Sequence, residues 1–277
     1  MPNPWSRQEV DSIIEDYFSM LFLELDGLSY NKTEHRRLLA EALNGRSDSS
    51  IESKHQNISA VLIQLDCPYI SGYKPLKHFQ RLLMDGVSDM IREPGVKERL
   101  SAAVSAIVAP SSRKLQLVPT PVRIERTAYQ VNSRRPSRYP SGFPNYLEQE
   151  ARNIALGAAG EIAALDFERA RLQEAGRDVL ARNIEHTAVT EGPGAGYDVR
   201  SYESDGTDRF IEVKTTASGA YTPFFVSAHE LQTSARHQRI YHLYRVYQFR
   251  TNPQFFVLKG RLEHSCKIEP VQYRAKL

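Results

Sequence analysis

Apolar residues recur at helical spacing from the start of the chain. Val10, Ile13, Ile14, Tyr17, Phe18, Leu21, Phe22 and Leu25 trace one broad stripe, the i, i+3, i+4 recurrence of an amphipathic helix. Ser6 and Glu9 precede it with capping-box spacing and Gly27 ends it. So wide an apolar face requires several packing partners. Thr33 is the expected cap of a second helix to Leu43, closed by Asn44-Gly45. Ser49 with Glu52 repeats the capping box and opens a third helix, with Ile51, His55, Ile58, Val61, Leu62 and Leu65 facing inward until Pro68. Pro75 and Pro94 suit the first turns of two further helices, to about Ile91 and Val108. Residues 5–109 thus predict an all-helical domain.

The pattern breaks over residues 110–145, where prolines fall at 110, 119, 121, 136, 140 and 144. Arg113, Lys114, Arg123, Arg126, Arg134, Arg135 and Arg138 face a single acid there, Glu125. This predicts an extended basic linker. Such a segment, Arg134 and Arg135 included, could hold a phosphate backbone by charge alone, or serve only solubility. Val122, Ile124 and the Tyr129–Val131 pair suggest one short strand.

Periodicity returns in residues 146–277. A long helix is expected from Tyr146 to Ala175, its buried stripe running through Leu147, Ala151, Ile154, Ala158, Ile162 and Leu165. Glu161 flanks that stripe, and Gly157 and Gly160 leave room for another backbone beside it. A carboxylate on a crowded helix face is unusual unless paired or metal-linked. A strand is expected over about Ala181–Thr190, then the glycine-rich loop 192–196, a hairpin, a strand at Phe224–Val226, a helix capped by Ser227 and Glu230 and ending near His237, and strands at Ile240–Phe249 and Phe255–Leu258. Helices over a mixed sheet make this an α+β domain.

The hairpin carries the candidate chemistry. Two β-rich runs, Tyr197–Glu203 and Thr207–Thr215, flank Ser204-Asp205-Gly206. The second run places Phe210, Glu212 and Lys214 on one face, with Ile211 and Val213 on the other. A two-residue turn would set Asp198 across from Val213, on the wrong face. A three-residue turn with Gly206 in the left-handed conformation pairs Glu203 with Thr207 and sets Asp198 across from Glu212. Opposed side chains of this kind have Cβ atoms roughly 4.5–5.5 Å apart, and like charges there repel. A divalent cation removes the repulsion, and hard carboxylate oxygens suit magnesium. The three-residue register is therefore the expected one.

Asp198 followed by Glu212-Val213-Lys214 resembles the D…(D/E)xK signature of restriction-endonuclease-like nucleases. With GAAGE at 157–161, GAGYDV at 194–199, IEVKTT at 211–216, PFFVS and YHLYRVYQF, the last 130 or so residues resemble the DUF3883 branch of that superfamily. The resemblance implies a restriction-endonuclease-like sheet domain and a Mg²⁺-dependent (or Mn²⁺-dependent) DNA endonuclease, in restriction or anti-phage defence. It implies Asp198, Glu212, the helical acid Glu161 and the Val213 carbonyl as metal ligands, with Lys214 beside the attacking water. An ammonium among carboxylates stays charged, which favours an orienting and charge-stabilising lysine over a general base. Tyr221, His229, Arg236, His237 and Arg239 could shape a DNA groove, or be plain surface.

Helices two and three, joined by a short Gly-containing turn, could be a helix-turn-helix pair. Lys32, His35, Arg36, Arg37, Lys54, Gln56 and Asn57 would then meet DNA, Lys54 and Asn57 from the outer face. Alternatively that face is simply solvated and His55 packs at a core edge. The NKTEHRR and KHQNISAVLI blocks resemble segments attached to nuclease modules, which implies a targeting role. A separate reading has the helical domain dock a helicase or ATPase of a defence system. A non-catalytic module that keeps the nuclease fold to bind DNA or a protein is the main alternative, and a homodimer stays open.

Composition narrows these options modestly. The 277 residues, 41% hydrophobic and 25% charged with a net charge of +3, suit two modest globular domains. Two distant cysteines, Cys67 and Cys266, support neither a disulfide framework nor a zinc site. The apolar patch at Ala102–Ala109 is too short to span a bilayer, and the N-terminus lacks a signal-peptide pattern, so no membrane association and a cytoplasmic location are expected.

Overall fold

The computed structural model describes residues 4–43, 45–106, 114–122, 145–151, 153–192 and 194–271. Arg134, Arg135 and the suggested strand from Ile124 to Val131 lie outside the described residues. The architecture is α+β, with a helical N-terminal region followed by a five-stranded mixed sheet and its covering helices.

Helices α1 (Arg7–Leu25), α2 (Lys32–Ala42), α3 (Asp48–Gln64), α4 (Arg81–Arg92) and α5 (Pro94–Ser105) build the first region. The Ser6–Glu9 capping box forms, and the stripe of α1 from Val10 to Leu21 is buried. It packs with Ile51, Ile58, Val61 and Leu62 of α3 and with Leu83, Val87 and Leu100. Two caps differ from expectation. Asn31, not Thr33, starts α2 by accepting from the Thr33 and Glu34 amides, and Ser47, not Ser49, starts α3. Glu52 is thereby free to meet Arg36 at 3.3 Å.

A third difference has wider consequences. Pro75 does not open a helix, and residues 74–80 run without regular structure along α3 before α4 begins at Arg81. Leu76 donates its amide to the Gln56 carbonyl at 3.0 Å. Its own carbonyl accepts from Asn57 Nδ2 at 2.6 Å, and Lys54 Nζ donates to Gln80 Oε1 at 3.2 Å while lying over the Trp5 ring. Lys54 and Asn57 are therefore buried, and their expected place on an exposed recognition face is corrected. The basic groups of α2 also have local partners: Lys32 on the Gly72 carbonyl, His35 on Asp16, Arg36 on Asp48 and Glu52, and Arg37 on Glu41.

The sheet comprises β1 (Gln116–Leu117), β2 (Val199–Tyr202), β3 (Asp208–Thr215), β4 (Tyr241–Tyr247) and β5 (Gln254–Lys259), in the order β1-β5-β4-β3-β2. Strand β3 pairs antiparallel with β2 and parallel with β4. Part of the expected linker is thus a short edge strand, β1, parallel to β5, with Leu115 buried in the sheet core.

The expected single helix from Tyr146 is two, α6 (Tyr146–Ala151) and α7 (Ile154–Glu174). Tyr146 belongs to the helical core of the first region. Asn153 caps α7 by accepting from the Leu156 amide at 3.1 Å, and the break changes the helix phase. Leu156, Gly160, Ala164, Leu165, Glu168 and Leu172 are buried, whereas Ile154 and Ile162 are exposed. The expected strand at 181–190 is instead two short helices, α8 (Asp178–Arg182) and α9 (Thr187–Thr190), around one bridge between Glu185 and Arg200. Residues 224–226 form no strand; Phe224 covers the buried Arg245 guanidinium at 5.1 Å. Helix α10 (Ala228–Arg236) carries the expected Ser227–Glu230 capping box, and α11 (Leu262–Ser265) closes that side.

Helix α7 lies on the sheet face of Ile211 and Val213, and Gly160 brings it against β3 so closely that a Cβ would sit 1.9 Å from Thr215 Oγ1. The opposite face, with Phe210, Tyr241 and Leu243, packs against Leu231 and Leu262. The two regions meet where Tyr69 Oη accepts from the Tyr221 amide at 2.9 Å and its ring fills the space a Cβ on Gly219 would need.

Candidate active site

The hairpin turn determines what the site contains. Glu203 donates its amide to the Thr207 carbonyl at 2.8 Å, Gly206 donates to the Glu203 carbonyl at 3.0 Å, and Gly206 has φ +92°. This is the three-residue turn with a left-handed glycine. The ladder runs Tyr202↔Asp208, Ser201↔Arg209, Arg200↔Phe210 and Val199↔Ile211, so its continuation sets Asp198 across from Glu212. At that end the strand slips: the Asp198 amide donates to the Ile211 carbonyl at 2.9 Å, one residue out of step. The Asp198 carboxylate in turn accepts from the Val213 amide at 2.7 Å.

Glu212 is buried in the middle of β3, and its Oε1 lies 2.6 Å from Lys214 Nζ. Lys214 reaches a second carboxylate, Glu230 Oε2 of α10, at 2.9 Å. Below it, the buried Arg245 on β4 donates from Nη1 to the Lys214 carbonyl at 3.0 Å and from Nη2 to the Thr222 carbonyl at 3.0 Å. The lysine is thus fixed at both its backbone and its ammonium.

Burial raises the Asp198 pKa to about 6; the Val213 hydrogen bond opposes this, and the negative charges of Glu161 and Glu230 add to it. Burial also pushes Glu212 well above the ordinary carboxylate range, with Lys214 opposing and Asp198 and Glu230 reinforcing the rise. For Lys214 burial works against the ammonium, but Glu212 and Glu230 outweigh it and raise its pKa. A lysine so held stays charged, which fits orientation and charge stabilisation rather than proton abstraction. Tyr241, buried near Glu212, Glu230 and Asp198, is likewise raised.

Glu161 comes from α7, on the other side of the sheet, and its Oε2 lies 2.7 Å from His186 Nε2. It is near enough to Asp198 to influence that group's proton affinity. His229 ties α10 to the glycine-rich loop through the Gly194 carbonyl at 2.8 Å, and Gly196, with φ +79°, sits against Thr233. His237 stacks edgewise on Phe210, whereas Arg236 and Arg239 are exposed.

A divalent cation suits this donor set. Asp198 is half-buried and Glu212 buried; desolvation raises the proton affinity of both and neighbouring carboxylates add to it, and a hard cation would relieve that added negative charge. Among the described residues no three His, Cys, Asp or Glu side chains converge as a ready-made cage. Magnesium is commonly held by one or two carboxylates, with waters and substrate phosphates completing its shell.

Residues 160–258 match the family model described as Protein NO VEIN, C-terminal. The matched segment begins at Gly160, beside Glu161, and ends at Leu258 on β5, so it takes in Asp198, Glu212, Lys214 and Glu230. No curated protein and no solved structure matches the chain. No helix among the described residues is long and apolar enough to cross a membrane.

Sequence reading missed Glu230 and His186 as neighbours of the site. Glu230 was visible only as the third residue of a capping box, which fixes a helix end but not what its carboxylate faces. His186 carried no local signal, since it fell inside a segment expected to be a strand.

Proposed function

We propose that the chain is a metal-dependent DNA endonuclease of the PD-(D/E)xK type, acting in restriction or anti-phage defence. The observation that supports this best is the pair of crowded carboxylates, half-buried Asp198 and buried Glu212, beside the Lys214 ammonium, in the strand order and spacing of the DUF3883-like resemblance. In this reading Asp198 and Glu212 would hold Mg²⁺ or Mn²⁺ with the Val213 carbonyl as a further donor, and Glu161, across the sheet and paired with His186, would act on the ion through Asp198. The bound cation would supply charge neutralisation at the phosphoryl oxygens and a more acidic water. Lys214 orients the attacking water and balances charge gathering on the scissile phosphate. Asp198, held by the Val213 amide, keeps its carboxylate at the hairpin end, and Arg245 fixes the backbone from which Lys214 projects. DNA is the proposed partner, with a second copy of the chain or a defence protein as further candidates.

The test is Mg²⁺- or Mn²⁺-dependent cleavage of modified and unmodified DNA by wild type, Asp198→Asn, Glu212→Gln and Lys214→Ala. Each variant is expected to lose at least about a hundredfold in cleavage rate, the scale for removing one transition-state contact, while melting as a folded protein. Near-wild-type cleavage by Lys214→Ala removes the lysine from the mechanism. A second reading, a non-catalytic binding module, draws on the double ion pair of Lys214, which also serves as a plain structural tie. Wild-type protein that binds DNA with no cleavage in either metal favours that reading.

A further inference from the structure

We propose that Glu230 is a positioning residue for Lys214, taking over the lysine's charge so that Glu212 can turn to a divalent cation. This rests on the metal-dependent nuclease reading. Glu212 is asked to do two things at once. Its Oε1 lies 2.6 Å from Lys214 Nζ, yet the same carboxylate is the proposed metal ligand. A lysine with no other counter-ion competes with the cation for it. Glu230 supplies that counter-ion at 2.9 Å from the same Nζ.

The placement of Glu230 is over-determined locally. Its amide donates to Ser227 Oγ at 3.1 Å, and its Oε2 accepts from the Ser227 amide at 3.2 Å. The capping box therefore aims the carboxylate at β3 before any metal arrives, and Glu230 and Lys214 are both largely shielded from water. When ionised, the carboxylates of Asp198, Glu212 and Glu230 against one ammonium leave two negative charges, the complement of a divalent cation. Without Glu230 that balance falls to one, and Lys214 is left to Glu212.

Mn²⁺ binding to the full chain, followed by electron paramagnetic resonance, tests this without reference to cleavage. Glu230→Gln keeps an oxygen for the Ser227 amide and so preserves the helix cap, but removes the charge. It is expected to weaken Mn²⁺ about tenfold, the lower end of what loss of an outer partner of a metal ligand produces. Lys214→Ala removes the competitor, so adding Glu230→Gln to it should cost almost nothing more. That coupling is the signature of action through Lys214. An unchanged Mn²⁺ affinity in Glu230→Gln, or the same tenfold loss in the Lys214→Ala background, overturns the proposal. Glu230→Asp, which keeps the charge but withdraws it, is expected to fall between wild type and Glu230→Gln, and an affinity below that of Glu230→Gln also overturns it. Any of these three results leaves the nuclease reading standing. Wild-type protein that binds no Mn²⁺ overturns the nuclease reading and this inference with it.

Discussion

Two carboxylate clusters lie against opposite ends of the same hairpin and behave in opposite ways. At the turn end, Glu168 of α7 is fully buried, yet accepts from Arg171 at 2.6 and 3.0 Å, from Ser201 Oγ at 2.6 Å and from Tyr244 Oη at 2.7 Å, with Arg209 at 3.3 Å. Burial alone would raise its pKa, but the Arg171 hydrogen bond, the Arg209 charge and the Ser201 hydroxyl lower it. At the other end, desolvation raises both the half-buried Asp198 and the buried Glu212, and neighbouring carboxylates add to the rise instead of opposing it. Glu168 is complete within the protein. Asp198 and Glu212, in the proposed reading, would be completed by an added positive charge, and that would separate a structural carboxylate from a candidate ligand.

The comparison is broken most directly at Glu168. Replacing it with alanine leaves Arg171 with only the Tyr202 carbonyl and Arg209 with only Glu203 and the Tyr244 hydroxyl, beside a cavity, and breaking a buried ion pair from one side costs about 3–5 kcal/mol. Denaturant unfolding should show a loss of that size, and a loss below about 1 kcal/mol would mean that the network is not a structural anchor. Its pH dependence has a definite sign. A carboxylate with a lowered folded pKa contributes stability above its unfolded pKa, and that stability is lost as pH falls through the folded value.

Asp198 predicts the reverse. Its folded pKa of about 6 lies above the ordinary 3.8, so metal-free stability should decline as pH rises from about 4 to about 6 and stay low above that. Asp198→Asn, which can still accept from the Val213 amide, should therefore stabilise the metal-free protein at pH 8 by roughly 2–3 kcal/mol, at about 1.4 kcal/mol per pKa unit, and by almost nothing near pH 3. Thermal melts across that range decide it. Destabilisation by Asp198→Asn at pH 8 would mean that the aspartate is a satisfied structural group like Glu168, and the contrast would vanish.

What could be read from the sequence follows from how local each cause is. The Asp205-Gly206 turn was legible, and with it the hairpin register as far as Val199 and Ile211, because a left-handed glycine is specified by three or four residues; the slip at Asp198 was not. The α1 stripe and the Ser6 and Ser227 capping boxes were legible for the same reason. Lys54 and Asn57 were misread because their burial depends on residues 74–80 folding back over α3, which no helical period reveals. The stripe of α7 was misread because one side-chain cap, Asn153, restarts the helix in a new phase. Glu168 is seven residues, two helical turns, beyond Glu161 and so on the same side of α7. That spacing was a usable signal for a second carboxylate, though its partners Arg209, Ser201 and Tyr244 come from distant strands.

The smallest expected effect is at Gly206, and it bears on both clusters together. The ladder that carries Ser201 and Arg209, which serve Glu168, and leads up to the slip at Asp198 beside Glu212 starts from this one turn. A Cβ on Gly206 would meet nothing within 4 Å, so any penalty is conformational rather than steric crowding. At φ +92° a β-branched residue is strained, and Gly206→Val should cost about 1–2 kcal/mol, within the usual range for backbone held in a sparse region. Gly206→Asn, which tolerates left-handed backbone better, should cost less. If register is what joins the clusters, Gly206→Val should weaken Mn²⁺ binding while the Asn variant stays close to wild type, although residue 206 touches no ligand. Equal Mn²⁺ affinity in both variants, with the valine protein destabilised, would show that Asp198 is held near Glu212 by its own bonds to Ile211 and Val213, without help from the turn.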